Sequence, residues 1–261
     1  MTWLTAYFDA AGHPDGAHSL IVGGYLSDVR AWLRFEKLWK IAIDEVGIEV
    51  FRMADFMACK GAFANWKDRD EERAALLATL ARITRKNTRK SFAFAVYLDD
   101  WKRANQVYAL ETNHCTPYAL CGFSIMSTAI KWLGKRDKKK DPVAISEFIF
   151  EDGDKHKGDF MWLMDNIIRK NRRDLAAISP IFKPKTLVPL QSADFIGWVY
   201  RKAVMKELQK MFPKASDSLL DLGMIPNTYG YLDYKHIVKF CEMFDVPKSG
   251  ESRTWIWPAQ A

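Results

Sequence analysis

The sequence predicts an α/β protein whose mixed sheet is flanked by helices, and two observations carry that reading. Two β-rich runs open the chain and are joined by turn chemistry at Gly12-His13-Pro14-Asp15-Gly16, so they read as an antiparallel hairpin. Later β-rich runs alternate with stretches of helical periodicity, the pattern of parallel βαβ crossovers. The chain has 261 residues, 49% of them hydrophobic, with ten Trp and sixteen Phe. That is enough apolar volume to fill one large domain, and it excludes a disordered chain.

In order, residues 3–9 (Trp-Leu-Thr-Ala-Tyr-Phe-Asp) and 18–26 form the two strands of the hairpin. Helical spacing of Trp32, Phe35, Leu38, Trp39 and Ala42 predicts a helix over 29–46. Residues 48–52 read as a short strand, and 53–66 as an irregular active loop or broken helix. A stripe of Leu76, Leu77, Leu80 and Ile83 sets a helix over 70–87, and a third strand follows at 91–98. Helical stretches then run from 99 to about 134. They form an insertion around 99–142 that ends in the charged segment Gly134–Pro142. Strand 143–151 begins at once, followed by a helix over 156–172 striped with Phe160, Leu163, Met164 and Ile167. A strand near 175–182 and a helix over 190–210 complete a domain spanning 1–211. Residues 212–261 are expected to be a C-terminal helical extension packed on that domain, with an aromatic tail at Trp255-Ile256-Trp257-Pro258. This order matches a ribonuclease H-like architecture.

The formal net charge is +7, which suits a polyanionic partner without defining a site. Cys59, Cys115, Cys121 and Cys241 lack C-x-x-C spacing and read as reduced thiols rather than zinc ligands. The N-terminus shows no basic segment leading into a long apolar core, and no apolar run approaches the roughly 20 residues that cross a bilayer. A soluble, cytoplasmic protein with no membrane partner is expected.

Three apolar runs each end on a carboxylate: Thr5-Ala6-Tyr7-Phe8-Asp9, Ser146-Glu147-Phe148-Ile149-Phe150-Glu151 and Pro189-Leu190-Gln191-Ser192-Ala193-Asp194. The first two read as strands and the third as the first turn of a helix. Acids seldom adjoin apolar runs, because burying an unpaired charge is costly. If strands 3–9 and 143–151 are parallel neighbours, Asp9 and Glu151 lie at adjacent carboxyl ends, about 4.8 Å apart across the sheet. Ligands of open α/β sheets bind at such ends. Asp194 would arrive on the helix packed across them, with Gln191 three residues earlier on the same face. Carboxylates from separate segments that meet in one place suit Mg²⁺ or Mn²⁺. Metals held there would activate water for phosphodiester hydrolysis. Each acid also has a plain structural role open to it: Asp9 and Glu151 in turns, Asp194 as a favourable first-turn charge. Arg201 lies two turns beyond Asp194, where a guanidinium would hold a phosphate. Asp154 and His13 are possible accessories. His156 lies near Asp154, and both also read as solvated loop residues.

These segments resemble the bacterial DUF3800 family, a group of ribonuclease H-like fold with a suspected nuclease role. The resemblance runs through Tyr7-Phe8-Asp9-Ala10-Ala11-Gly12, Val22-Gly23-Gly24, Trp39, Phe51-Arg52-Met53-Ala54-Asp55-Phe56, Gly61-Ala62-Phe63, Phe150-Glu151 and Leu190-Gln191-Ser192-Ala193-Asp194-Phe195. The last motif is the most specific. The resemblance implies that Asp9, Glu151 and Asp194 are both metal ligands and catalytic residues. Family members often carry an acidic pair where Ala10 and Ala11 stand, and a His where Arg52 stands. Gln191, Arg52 and Arg201 are the expected substrate-binding residues. The expected activity is metal-dependent cleavage of DNA or RNA without sequence preference. The alternative is a degenerate module of the same fold that binds nucleic acid or a partner protein without cleaving. Three basic clusters are candidate phosphate tracks: Lys135–Lys140 with Lys131; Arg169, Lys170, Arg172 and Arg173; and Arg85, Lys86, Arg89 and Lys90.

Overall fold

The opening hairpin forms as the sequence predicts, from β1 (Thr2–Ala11) and β2 (Ser19–Asp28). The remaining strands are β3 (Lys90–Tyr97), β4 (Val143–Glu151), β5 (Pro180–Lys183) and β6 (Asn227–Leu232). All six join one sheet in the order β5-β4-β1-β2-β3-β6. The first three run antiparallel in sequence. β4 is parallel to β1, β5 to β4, and β6 to β3. The structure is a computed structural model, and it describes residues 2–12, 18–134, 143–172, 175, 178–199 and 222–250. Among the described residues no helix is long and apolar enough to cross a membrane.

Helices cover both faces. On one lie α1 (Val29–Asp44), α2 (Met53–Ala58), α3 (Asp70–Asn87) and, after β5, α8 (Val188–Val199). The other carries α4 (Leu98–Tyr108), α5 (Pro117–Gly134), α6 (Lys157–Leu163), α7 (Arg169–Asn171) and α9 (Tyr234–Met243). The period-2 alternation of the strands sends Leu4, Ala6, Phe8, Phe148 and Phe150 toward α5 and α6. Tyr7, Tyr25 and Ile149 point the other way, toward α1 and α8. Helix α1 starts on a cap, where the Asp28 side chain accepts the Ala31 N–H at 2.9 Å. It buries Trp32, Phe35, Trp39, Ala42 and Ile43. Leu38, placed on that stripe by spacing, is solvent-exposed instead.

Several expectations are corrected. Residues 48–52 form no strand; Ile48 and Phe51 drop into the core from an irregular turn. The strand expected over 175–182 shortens to Pro180–Lys183. The helix expected over 156–172 passes through a π turn at Met164–Ile168 between α6 and α7. The C-terminal region is not purely helical, because β6 joins the sheet at the edge of β3. Its alternation sets Tyr229 and Tyr231 on the exposed face of an edge strand, so no apolar run announces it. The four cysteines are free, and three of them are buried.

One irregularity positions the site. Leu4 pairs with Ile145 but Thr5 pairs with Glu147, so Ser146 is an extra residue in β4. Beyond this bulge, Tyr7 pairs with Ile149 and Phe8 with Phe150. Asp9 and Glu151 come next and therefore share a face.

Candidate active site at the strand ends

Asp9 ends the buried part of β1 on the same face as Tyr7, beneath α8. Its antiparallel partner on β2 is Gly23. A Cβ on Gly23 would stand 2.0 Å from Cγ2 of Ile196, so only glycine lets α8 sit this close to the sheet. That approach carries Asp194, two residues before Ile196, onto the end of β1.

The link between the two acids is Lys185, in the loop between β5 and α8. Its Nζ lies 2.5 Å from Asp9 Oδ2 and 3.3 Å from Asp194 Oδ2. The two carboxylates are therefore no farther apart than those contacts laid end to end. All three groups are secluded: Asp9 is 7% exposed, Asp194 9%, and the Lys185 side chain 10%. Asp9 Oδ1 accepts the Ala10 N–H at 2.8 Å, while Oδ2 is met by the Lys185 ammonium. Asp194 Oδ2 also accepts the Met53 N–H at 2.9 Å, which ties the Phe51-Arg52-Met53 turn to the site.

Burial pushes the Asp9 carboxyl up to about 7; Lys185 pulls it down, and Asp194 and Glu151 repel it upward. For Lys185, burial favours the neutral amine. Asp9 and Asp194 outweigh that and hold the ammonium above its usual range.

Glu151 stands at the adjacent strand end and faces the same cleft, which encloses about 550 Å³. Its Oε2 accepts the Gly153 N–H at 2.6 Å, so the turn role foreseen for it is present as well. Arg52, Asp154, Lys155 and His156 complete the wall. Asp154 Oδ1 is bonded to the His156 N–H.

The structure separates the expected residues. Asp9, Glu151, Asp194, Arg52 and Asp154 gather at the cleft or directly beneath it. Gln191, expected to bind substrate, is 1% exposed. Its Oε1 accepts Trp39 Nε1–H at 2.9 Å and Phe51 N–H at 3.0 Å, and its amide nitrogen donates to the Lys185 carbonyl at 3.3 Å. Its polar atoms are spent on bracing α1, the Phe51 turn and the Lys185 loop against α8. Asp194 is not a first-turn residue, because α8 begins at Val188; a dipole effect confined to the first turn does not account for it. His13 and Arg201 lie outside the described residues, as do Lys135–Lys140 and Arg173. Sequence reasoning missed Lys185. The available signal was a basic residue in the short Lys183-Pro184-Lys185 segment, nine positions before Asp194.

Two or three carboxylates around one cation are the donor chemistry of a hard divalent metal. Asp9 Oδ2, buried and facing a cation, fits such a role. As the side chains stand, the Lys185 ammonium supplies the positive charge. Among the described residues no three acidic, His or Cys groups are gathered as a ready metal site.

The fold and site together define an α/β protein with a mixed six-stranded sheet and a buried acid–lysine–acid cluster at its strand ends. No protein-family model, curated protein or solved structure matches the chain.

Proposed function

We propose that this chain is a ribonuclease H-like phosphodiesterase of the DUF3800 type, acting on DNA or RNA with Mg²⁺ or Mn²⁺. One observation carries the proposal: Asp9 and Asp194, from a strand end and a crossing helix, share a cation at the head of an open cleft that Glu151 also lines. The hairpin followed by parallel strands, in the order β5-β4-β1-β2-β3, supports the fold assignment. Asp9, Glu151 and Asp194 would hold the metal. When bound, it supplies an activated water and stabilises charge on the phosphate. Lys185 would leave the acids and turn its ammonium toward the phosphate. Arg52 and Lys155, on the same wall, would hold the nucleic-acid backbone.

The basic clusters contribute less. Arg89 pairs with Asp28 at 2.8 Å, and Lys90 is buried over the Phe92 ring at the opposite end of the sheet. Arg169 is engaged with Asp165 at 3.0 Å. The cations of the cleft itself are better placed.

A second reading has its own support. The Lys185 ammonium already neutralises the acids, which suits a module that binds nucleic acid without cutting it. Mn²⁺-dependent cleavage of single- and double-stranded oligonucleotides by the wild type, abolished in Asp194→Asn, is the expected result. Salt-sensitive binding with no turnover at any Mn²⁺ concentration would instead establish the second reading.

A further inference from the structure

The cleft holds another group of titratable side chains apart from its acids. His156, just ahead of α6, lines it beside Asp9, Glu151 and Lys185. Its Nδ1 lies 2.7 Å from Asp159 Oδ2. The other oxygen of that carboxylate, Oδ1, lies 2.6 Å from Nδ1 of His114. An ionised carboxylate only accepts, so both imidazoles present Nδ1–H to Asp159. The tautomer follows: Nε2, on the far side of each ring, is the atom that takes up or releases a proton. Among the described residues no hydrogen bond engages Nε2 of His156, and the residue lines the cleft.

Three segments are committed to this arrangement. His156 follows the β4 turn, and its backbone N–H is fixed by Asp154 Oδ1 at 2.8 Å. Asp159 lies in the first turn of α6. His114 comes from the turn between α4 and α5, at a φ of 55° in the left-handed region that side chains seldom adopt. The His114 ring rests on Trp162, with centroids 4.5 Å apart. A carboxylate shared between two imidazoles, one of them at the cleft wall, exceeds what a loop tie requires.

We propose that His156 is the proton donor to the leaving oxygen in phosphodiester cleavage, with Asp159 and His114 as its positioning residues. The proposal rests on the phosphodiesterase reading above. The water oxygen bonds to phosphorus, and its proton passes to solvent. The bond from phosphorus to the leaving oxygen breaks, and its electron pair stays on that oxygen. The proton on His156 Nε2 transfers to it, and the neutral imidazole regains a proton from solvent. Asp159 holds Nδ1–H and keeps the ring turned. The charged groups around His156 are Asp154, Lys155 and Lys157 on its own segment, Asp159 on α6, and Asp9, Glu151, Arg52 and Lys185 across the cleft.

The test varies the leaving group. An oligonucleotide expels an alkoxide that needs a proton, whereas thymidine 5′-(p-nitrophenyl) phosphate expels a stable phenolate that does not. His156→Asn keeps an amide N–H where Nδ1–H stood and so preserves the bond to Asp159 while deleting the distal nitrogen. With Mn²⁺ present, His156→Asn is expected to lose about 10²- to 10⁴-fold in kcat on the oligonucleotide and to cleave the nitrophenyl ester near the wild-type rate. Asp159→Asn should show the same selectivity with a smaller loss. Equal losses on both substrates, or no loss on either, would overturn the role of His156 and leave the phosphodiesterase reading standing. A wild-type protein that cleaves neither substrate overturns both.

Discussion

Asp9→Asn isolates the most informative electrostatic feature of the site. In the folded chain burial brings this carboxyl to about 7, against an ordinary value of 3.8. A raised acid holds its proton in the folded state over a range where the unfolded chain has released it. Its contribution to stability is therefore complete below about pH 4 and is lost as pH rises toward 7. At about 1.4 kcal/mol per unit, a gap of about three units amounts to roughly 4 kcal/mol. Asn is neutral throughout and can still accept the Ala10 N–H, so the turn after β1 survives. It also alters the Lys185 environment, but that offset does not vary below the lysine range. Urea unfolding at half-unit steps from pH 5 to 8, followed by the fluorescence of buried Trp32, Trp39 and Trp66, measures both proteins. The difference between the two profiles should slope by about 1.4 kcal/mol per pH unit up to about 7 and then level off. Mn²⁺ at a hundred times its Kd should add about 2.7 kcal/mol to the wild type at pH 8, less at pH 6, and nothing to the variant. Parallel profiles from pH 5 to 8 would refute the assignment of a buried, proton-holding Asp9.

Two further outcomes follow from the same contacts. Lys185→Met strands two buried carboxyls without their cation and should cost about 3–5 kcal/mol without metal, part of it restored by Mn²⁺; unchanged metal-free unfolding would show that the ammonium is dispensable. Gln191→Leu leaves Trp39 Nε1–H and Phe51 N–H without their acceptor, at roughly 1–3 kcal/mol for each buried donor. Thermal unfolding should register that loss, whereas a rise in KM with unchanged stability would return Gln191 to a substrate-binding role.

The hairpin and the helical stripes were legible because each carries its periodicity in adjacent residues. Asp9 and Asp194 were legible as well, since an acid closing an apolar run is a local anomaly. Lys185 was not, because its meaning lies in a contact with Asp9 across most of the chain. Gln191 was misread for a related reason: helical spacing put it beside Asp194, but only the packing of Trp39 and Phe51 shows what its amide satisfies. β6 escaped because an edge strand with one exposed aromatic face has no buried run to display. The His114–Asp159–His156 link joins residues 45 and 3 apart, and only the nearer pair sits at helical spacing.

The extra residue at Ser146 makes the cleft a matter of counting. Losing one residue between that bulge and the acid would pair Glu151 with Phe8 and turn it away from α8. Length changes in the connections before β4 would leave that tally untouched. Related chains should therefore vary freely in the spacing between β3 and β4 yet keep a constant interval from the bulge to the acid. Such an interval is a more durable signature of this cleft than any single residue in the strand.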